Sequence, residues 1–303
     1  MLEGIYLAIQ GAASQGIIWG IMTLGVYITF KVLDFPDLTV DGSFALGGAV
    51  SAILISNGMN PFITLFFSFL AGSLAGLATG ILNTKLQIPG ILAGILTMIA
   101  LYSINIRVMG GRPNIPLLGM ATSLTIIQNI LSLSKVVSDL LVGFVFSVFI
   151  VLIMYWFFGT EMGCAIRATG NNEKMIRALG VDTNIMKTIG LMISNALVSL
   201  SGALVTQSQG YADVGMGTGT IVIGLASVII GEVIFGNRFN FLYKLSSIVM
   251  GSIIYRIIIA IVLQLGLKAT DLKLLTAIIV AIALSVPVLN KKANKILSPK
   301  RKG

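Results

Sequence analysis

Runs of about twenty apolar residues recur along almost the whole chain, each long enough to cross roughly 30 Å of hydrocarbon as an α-helix. Helices suit that environment because they satisfy their backbone N–H and C=O groups internally where no water can. About nine such runs can be marked, at 16–33, 40–57, 60–83, 88–108, 137–158, 187–207, 217–235, 245–265 and 271–289. A tenth would arise if residues 2–15 also entered the membrane. With 56% of 303 residues hydrophobic and only 10% charged, a water-soluble core could not absorb this much apolar surface. The expected fold class is therefore all-α, a polytopic transmembrane bundle in one domain over 1–290, followed by a basic tail at 291–303.

Basic residues fix the expected orientation, because loops on the cytoplasmic side collect Lys and Arg. With the C-terminus inside, the cytoplasm receives Lys31, Lys85, Arg167, Lys174, Arg177, Lys187, Arg238, Lys244 and the tail, and only Arg107, Arg112, Lys135, Lys268 and Lys273 fall outside. The net charge of +9 sits at span ends and in the tail without aromatic interleaving, which fits topology and anionic lipid rather than nucleic acid. The opening residues MLEGIYLAIQGAASQG lack the basic start of a cleavable leader, so the first apolar segments are expected to stay in the mature chain.

Several chemistries are excluded by what the sequence lacks. It has no histidine and one cysteine, Cys164, so metal, haem and cluster sites lose their usual ligands. It has no Gly-Lys pair, hence no phosphate-binding loop of that type, and Gly215, Gly217 and Gly219 open an apolar run without a preceding strand. No cofactor is expected. Glycines at four-residue spacing, Gly72, Gly76 and Gly80, and the group Gly42, Gly47 and Gly48, predict helix faces that pack closely in lipid.

Three polar regions interrupt the apolar pattern. Residues 160–187 form the longest strongly polar insert, expected on the cytoplasmic side. Within it Asn171 or Asn172 can start a short helix and Gly180 can end it, with Met175, Ile176 and Leu179 spaced for a common apolar face and Glu173, Lys174 and Arg177 forming a charged rim. The segment DFPDLTVDGSFALGG at 34–48 breaks one helix at Pro36 and starts another, with Asp37, Thr39 or Asp41 as capping groups. The outer loop 110–136 contains SLTIIQNILSLSKVV, an amphipathic stretch suited to the outer surface, where residues 209–219 offer a second contact. Arg256 falls near the centre of its run and should face the bundle interior, with Glu232 as a possible partner. Asn105, Asn195, Gln207 and Gln264 are further polar positions in apolar runs, suited to hydrogen bonds between helices.

The stretch FPDLTVDGSFALGGAV, the later GLATGILNTKLQIPGILAGILTMIALYSINIRVMGGRPNIPLL and the segment GCAIRATGNNEKMIRALGVDTNIMKTIGLMISNALVSLSGAL together resemble the permease subunit of binding-protein-dependent ABC importers related to branched-chain amino acid permeases. The resemblance runs over roughly 16–290 and lies nearest the subgroup that serves aromatic amino acids and similar small solutes. It implies a type II importer permease fold, no catalytic residues, and ATP hydrolysis by a separate ABC ATPase subunit. It also implies a multi-pass protein of the cell membrane with its C-terminus cytoplasmic, an extracytoplasmic solute-binding protein, and a second permease copy, identical or a paralogue. The 160–187 insert would then dock on the ATPase through Arg167, Asn171, Glu173, Met175, Ile176, Arg177, Leu179 and Gly180. The pathway or its gate is expected around Asp37, Asp41, Ser43, Gly47, Gly219 and Arg256. The alternative is an ion-coupled secondary transporter acting without an ATPase. It calls for intramembrane carboxylates, of which Glu232 is the main one in the later runs.

Overall fold

The computed structural model describes residues 2–132, 134–236 and 240–266, and beyond them only 271, 274, 276–282 and 285. Arg238, Lys268, Lys273, the basic tail and much of the ninth apolar run lie outside the described residues. The elements in chain order are α1 (Leu2–Tyr27), which continues as a π-helical turn over Ile28–Val32, then α2 (Thr39–Ser56), α3 (Pro61–Thr84), α4 (Gly90–Val108), β1 (Asn114–Pro116) and α5 (Ser123–Leu131). They are followed by α6 (Lys135–Phe158), α7 (Glu161–Asn171), α8 (Glu173–Ala178), α9 (Thr183–Gln209), β2 (Tyr211–Asp213), α10 (Thr220–Phe235) and α11 (Phe241–Gln264).

Among the described residues, 7 helices are long and apolar enough to cross a membrane, and α10 is a shorter apolar helix. Residues 2–15 make no separate crossing, because they are the first half of the helix that runs on to Val32. α1, α2 and α9 are largely enclosed, whereas less than half of α3, α4, α6 and α11 is buried. The exposed side chains are mainly apolar, including Phe66, Ile99, Phe144 and Trp156, as expected where lipid replaces water.

Local chemistry sets the helix boundaries. Asn60 accepts from Phe62 N ahead of Pro61 at the first helical position of α3, and Asp182 accepts from Asn184 N and Ile185 N at the start of α9. Thr122 and Thr125 form a reciprocal capping box that starts α5. α9 ends at Gly210 in the left-handed conformation, and β2 then pairs antiparallel with β1, placing Ile115 opposite Ala212.

Glycine lets the central helices touch backbone to backbone. A methyl group at Gly72 or Gly76 would collide with main-chain oxygens of Asn195 and Leu191 on α9, and one at Gly80 would lie 2.8 Å from the Thr188 methyl. The four-residue repeat is thus the α3–α9 seam. Side-chain hydrogen bonds cross between helices as well. Gln207 accepts from Ser123 N and Oγ and donates to Ser51 Oγ, the Pro61 carbonyl and Thr64 Oγ1, so a single α9 amide ties α5, α2 and α3 together.

Candidate functional site

Two non-helical segments carry the polar groups into the bundle. The first follows the π-turn: Asp34 takes a positive φ of 52°, Pro36 supplies no N–H, and the chain turns into α2. Asp37, fully buried, accepts from Thr39 N (2.9 Å) and so caps α2. Its other oxygen accepts from Asn195 Nδ2 (2.7 Å), whose Oδ1 in turn accepts from Ser43 Oγ (2.7 Å). Asp37 and Ser43 are therefore brought together through Asn195, which the sequence singled out only as one of four polar residues in apolar runs. Gly47 packs on the same helix, against the Ser199 carbonyl.

The second segment descends from β2 along α2. Gly48 lies against Thr206 and Met216, and Gly217 against the Asp41 carbonyl, so residues 214–219 run antiparallel to α2 at close range. Gly219 adopts φ +86°, and α10 starts there. Asp41 caps it from outside the helix. Its carboxylate accepts from Gly219 N (2.9 Å), Thr220 Oγ1 (2.8 Å) and Ile221 N (3.0 Å). Three donors of a helix start are thereby satisfied by one residue on α2, as a polar terminus away from water requires. No Lys or Arg pairs with Asp41 among the described residues. A cavity of about 420 Å³ opens beside it, lined by α2, α4 and the 214–218 segment, with Tyr102, Ser103 and Asn105 on the α4 wall.

Arg256 is placed differently from the expectation. Glu232 is bound to Lys31 (3.0 Å) and Lys244 (3.8 Å), joining the ends of α1, α10 and α11. Glu232 sits near the end of its helix and Arg256 halfway along the next, so the two carry different depths. The Arg256 guanidinium instead lies 3.8 Å from the centre of the Trp19 ring, and its Nε has no hydrogen-bond partner among the described residues. It stands apart from the Asp37 and Asp41 groups.

The polar insert forms two helices where one was expected. Thr160 caps α7 by accepting from Gly163 N, and Asn172, in an extended conformation, breaks the chain and caps α8 by accepting from Met175 N (3.1 Å). Asn171 ends α7. α9 already begins at Thr183, so residues 183–187 of the insert belong to that span. The common face of Met175, Ile176 and Leu179 does not form: Ile176 is turned inward at 6% exposure, while Met175 and Leu179 stand out at 49% and 72%. Successive helical residues point about 100° apart, and Leu179 already lies beyond the last turn of α8. Gly180 follows at φ +87°.

Glu173 organises the base of this insert. It accepts from Lys187 Nζ (2.6 Å), Arg177 Nη2 (2.9 Å) and Thr183 Oγ1 (3.1 Å). The Lys187 hydrogen bond, aided by both cations and Thr183 against a partial burial cost, holds its carboxyl below the usual range. Arg167 stacks 4.7 Å from the centre of the Phe241 ring at the start of α11. Gly170 of α7 rests against the Val32 carbonyl and Leu33 backbone, and Gly190 of α9 receives the Leu33 side chain. Leu33 is thus seated between the insert and α9, one residue before the break that leads to Asp37 and α2.

The family model described as branched-chain amino acid transport system, permease component, matches residues 8–284. A tyrosine transport system permease protein of Clostridioides difficile is 43% identical over 290 residues, covering 95% of each chain. A ribose import permease protein of Haemophilus influenzae is 26% identical over 59% of this chain and 55% of its own. Among solved structures, an inward-facing conformation of a metal-chelate type ABC transporter superposes with a TM-score of 0.50 at 16% identity, covering 93% of this chain and 85% of that one.

Proposed function

The chain belongs to the family of branched-chain amino acid transport system permease components, and from that premise we propose that it forms the solute pathway of an ATP-driven importer of an aromatic amino acid. It is a multi-pass membrane permease of an ABC importer family, and ATP hydrolysis belongs to a separate subunit. In our reading the C-terminus is cytoplasmic, and α7 and α8 seat on the ATPase through the exposed Met175 and Leu179, with Glu173, Arg177 and Arg167 holding the insert in shape. A second copy or paralogue completes the pathway across the groove beside Asp41. The β1–β2 ribbon and α5 face the outside and receive the solute-binding protein. Tyrosine or a close relative is the favoured cargo, from the 43% identity to a tyrosine transport permease.

The observation that carries the reading is the seating of Leu33 between Gly170 and Gly190. A push on α7 is delivered to the backbone of Val32 and Leu33, just ahead of the break that leads through Asp37 to α2, whose residues line the groove beside α4. Coexpression with the ATPase subunit tests it: the assembled complex retains a P-loop ATPase through purification, and Leu179→Asp, which places a charge on the exposed knob, releases it. Retention of the ATPase by the Leu179→Asp chain, or ATP-independent uptake in vesicles, would overturn the reading.

A further inference from the structure

We infer that the cavity between α2, α4 and residues 214–218 is a binding site for a primary ammonium group, and that it holds the amino end of a solute in transit. The inference rests on the proposed role as an amino acid permease and adds the part of the solute that is recognised. Asn105 is 1% exposed and lines the cavity. Its Nδ2 donates to the Gly42 carbonyl (3.2 Å), which fixes which way the amide faces. Oδ1 is then left as a buried acceptor with no donor among the described residues. A buried acceptor without a partner carries a desolvation cost that a ligand's N–H removes.

The second acceptor is Asp41. Its carboxylate has room for about four hydrogen bonds, and three are occupied by the start of α10. The positive end of that helix offsets only about half an elementary charge, so the wall keeps negative character without a basic residue among those lining the cavity. Ammonium supplies three donors and a positive charge and so matches Oδ1 of Asn105, the remaining Asp41 position and the exposed face of Tyr102. A carboxylate would face the Asp41 carboxylate and find no cation, only the hydroxyls of Tyr102, Ser103 and Thr218 as side-chain donors. Met98, Ile99 and Val214 furnish apolar surface for the rest of the molecule.

The test uses the full permease–ATPase complex in nanodiscs, with Cys164→Ser and Ser103→Cys placing one thiol on the cavity wall. Modification by the neutral reagent methyl methanethiolsulfonate is timed with tyramine, with 3-(4-hydroxyphenyl)propionate, or with neither. Tyramine slows the reaction, and the propionate, which has the same ring without the amine, does not. Asn105→Leu weakens tyramine protection about tenfold, the worth of one hydrogen bond to a charged group. Should that variant fail to assemble, the isosteric Asn105→Asp adds an acceptor charge and strengthens protection instead. Equal protection by both compounds, or no tyramine protection in a complex that still imports an amino acid on ATP, overturns the site while leaving the transport reading intact. Tyramine protection in a chain that imports no amino acid upholds the site and removes the transport reading.

Discussion

Gly170→Ala is the sharpest test of how the polar insert speaks to the membrane bundle. A Cβ at this position would lie 2.8 Å from both Cα and the carbonyl carbon of Leu33, where ordinary contact begins at 3.4 Å, and would overlap the Val32 carbonyl oxygen more severely. α7 must therefore withdraw by more than about half an ångström, since the atoms it meets are backbone held in the π-turn rather than a side chain that can swing away. Because the clash is with backbone, the cost falls near the upper end of the roughly 1–3 kcal/mol of overpacking, and replacing glycine within a helix returns up to about 1 kcal/mol, leaving a net loss of about 2 kcal/mol. Thermal unfolding of the assembled complex should shift down by a few degrees. The larger effect is expected in coupling: ATP hydrolysed per solute imported rises, because motion of α7 is no longer passed tightly to Leu33. Gly11→Ala is the control, as a methyl there meets nothing within 4 Å. If Gly170→Ala matched the wild type in both unfolding temperature and coupling ratio, the seating of Leu33 would have no mechanical meaning.

Three further outcomes are expected. The depressed Glu173 carboxyl contributes stability above its ordinary value near about pH 4.3 and loses it as pH falls through the lower folded value. Glu173→Gln should accordingly cost less than about 1 kcal/mol at neutral pH, given the exposure of the group, with the gap to wild type closing below about pH 4 in unfolding scans. Gln207→Leu leaves Ser123 N–H without its partner, while the Pro61 carbonyl keeps Thr64 Oγ1, and should cost about 1–3 kcal/mol, with faster amide exchange at the start of α5 as its local mark. Arg256→Met gives up a stacking contact worth about 2 kcal/mol at most and relieves a mid-membrane charge that costs about 2.5–3.5 kcal/mol. Its unfolding temperature should stay level or rise, and a marked drop would mean that the guanidinium holds a partner the described residues do not supply.

Seven of the expected spans were readable because a membrane helix announces itself by length and apolarity alone, whereas the run at 217–235 holds a shorter helix and the ninth lies mostly outside the described residues. The Gly72, Gly76 and Gly80 repeat likewise foretold a close seam, and the Asp37 and Asp41 segment foretold a helix break with carboxylate capping. What the sequence hid was long-range. Nothing near residue 41 says that its carboxylate serves a helix beginning at residue 220, and nothing near residue 105 says that one amide oxygen is left over. Glu232 and Arg256 looked like partners because charges in apolar runs are scarce, yet the lysines at the matching depth, Lys31 and Lys244, claim Glu232. The insert differs at finer scale: of Asn171 and Asn172, both suited to start a helix, Asn172 caps α8 and also ends α7, so one expected face becomes a buried Ile176 and two outward side chains.

α10 has 16 residues, about 24 Å of helix, which is less than the roughly 30 Å thickness of a bilayer's hydrocarbon core. Ahead of it the successive turns of residues 214–219 lie along α2, and its first turn is held by a carboxylate borrowed from that neighbour. Pulling α2 and α10 apart would strand three donors in a medium that offers them nothing, so the pair has to travel as one rigid strut. Whatever hinge the bundle uses to open first to one side and then to the other must therefore lie outside that pair.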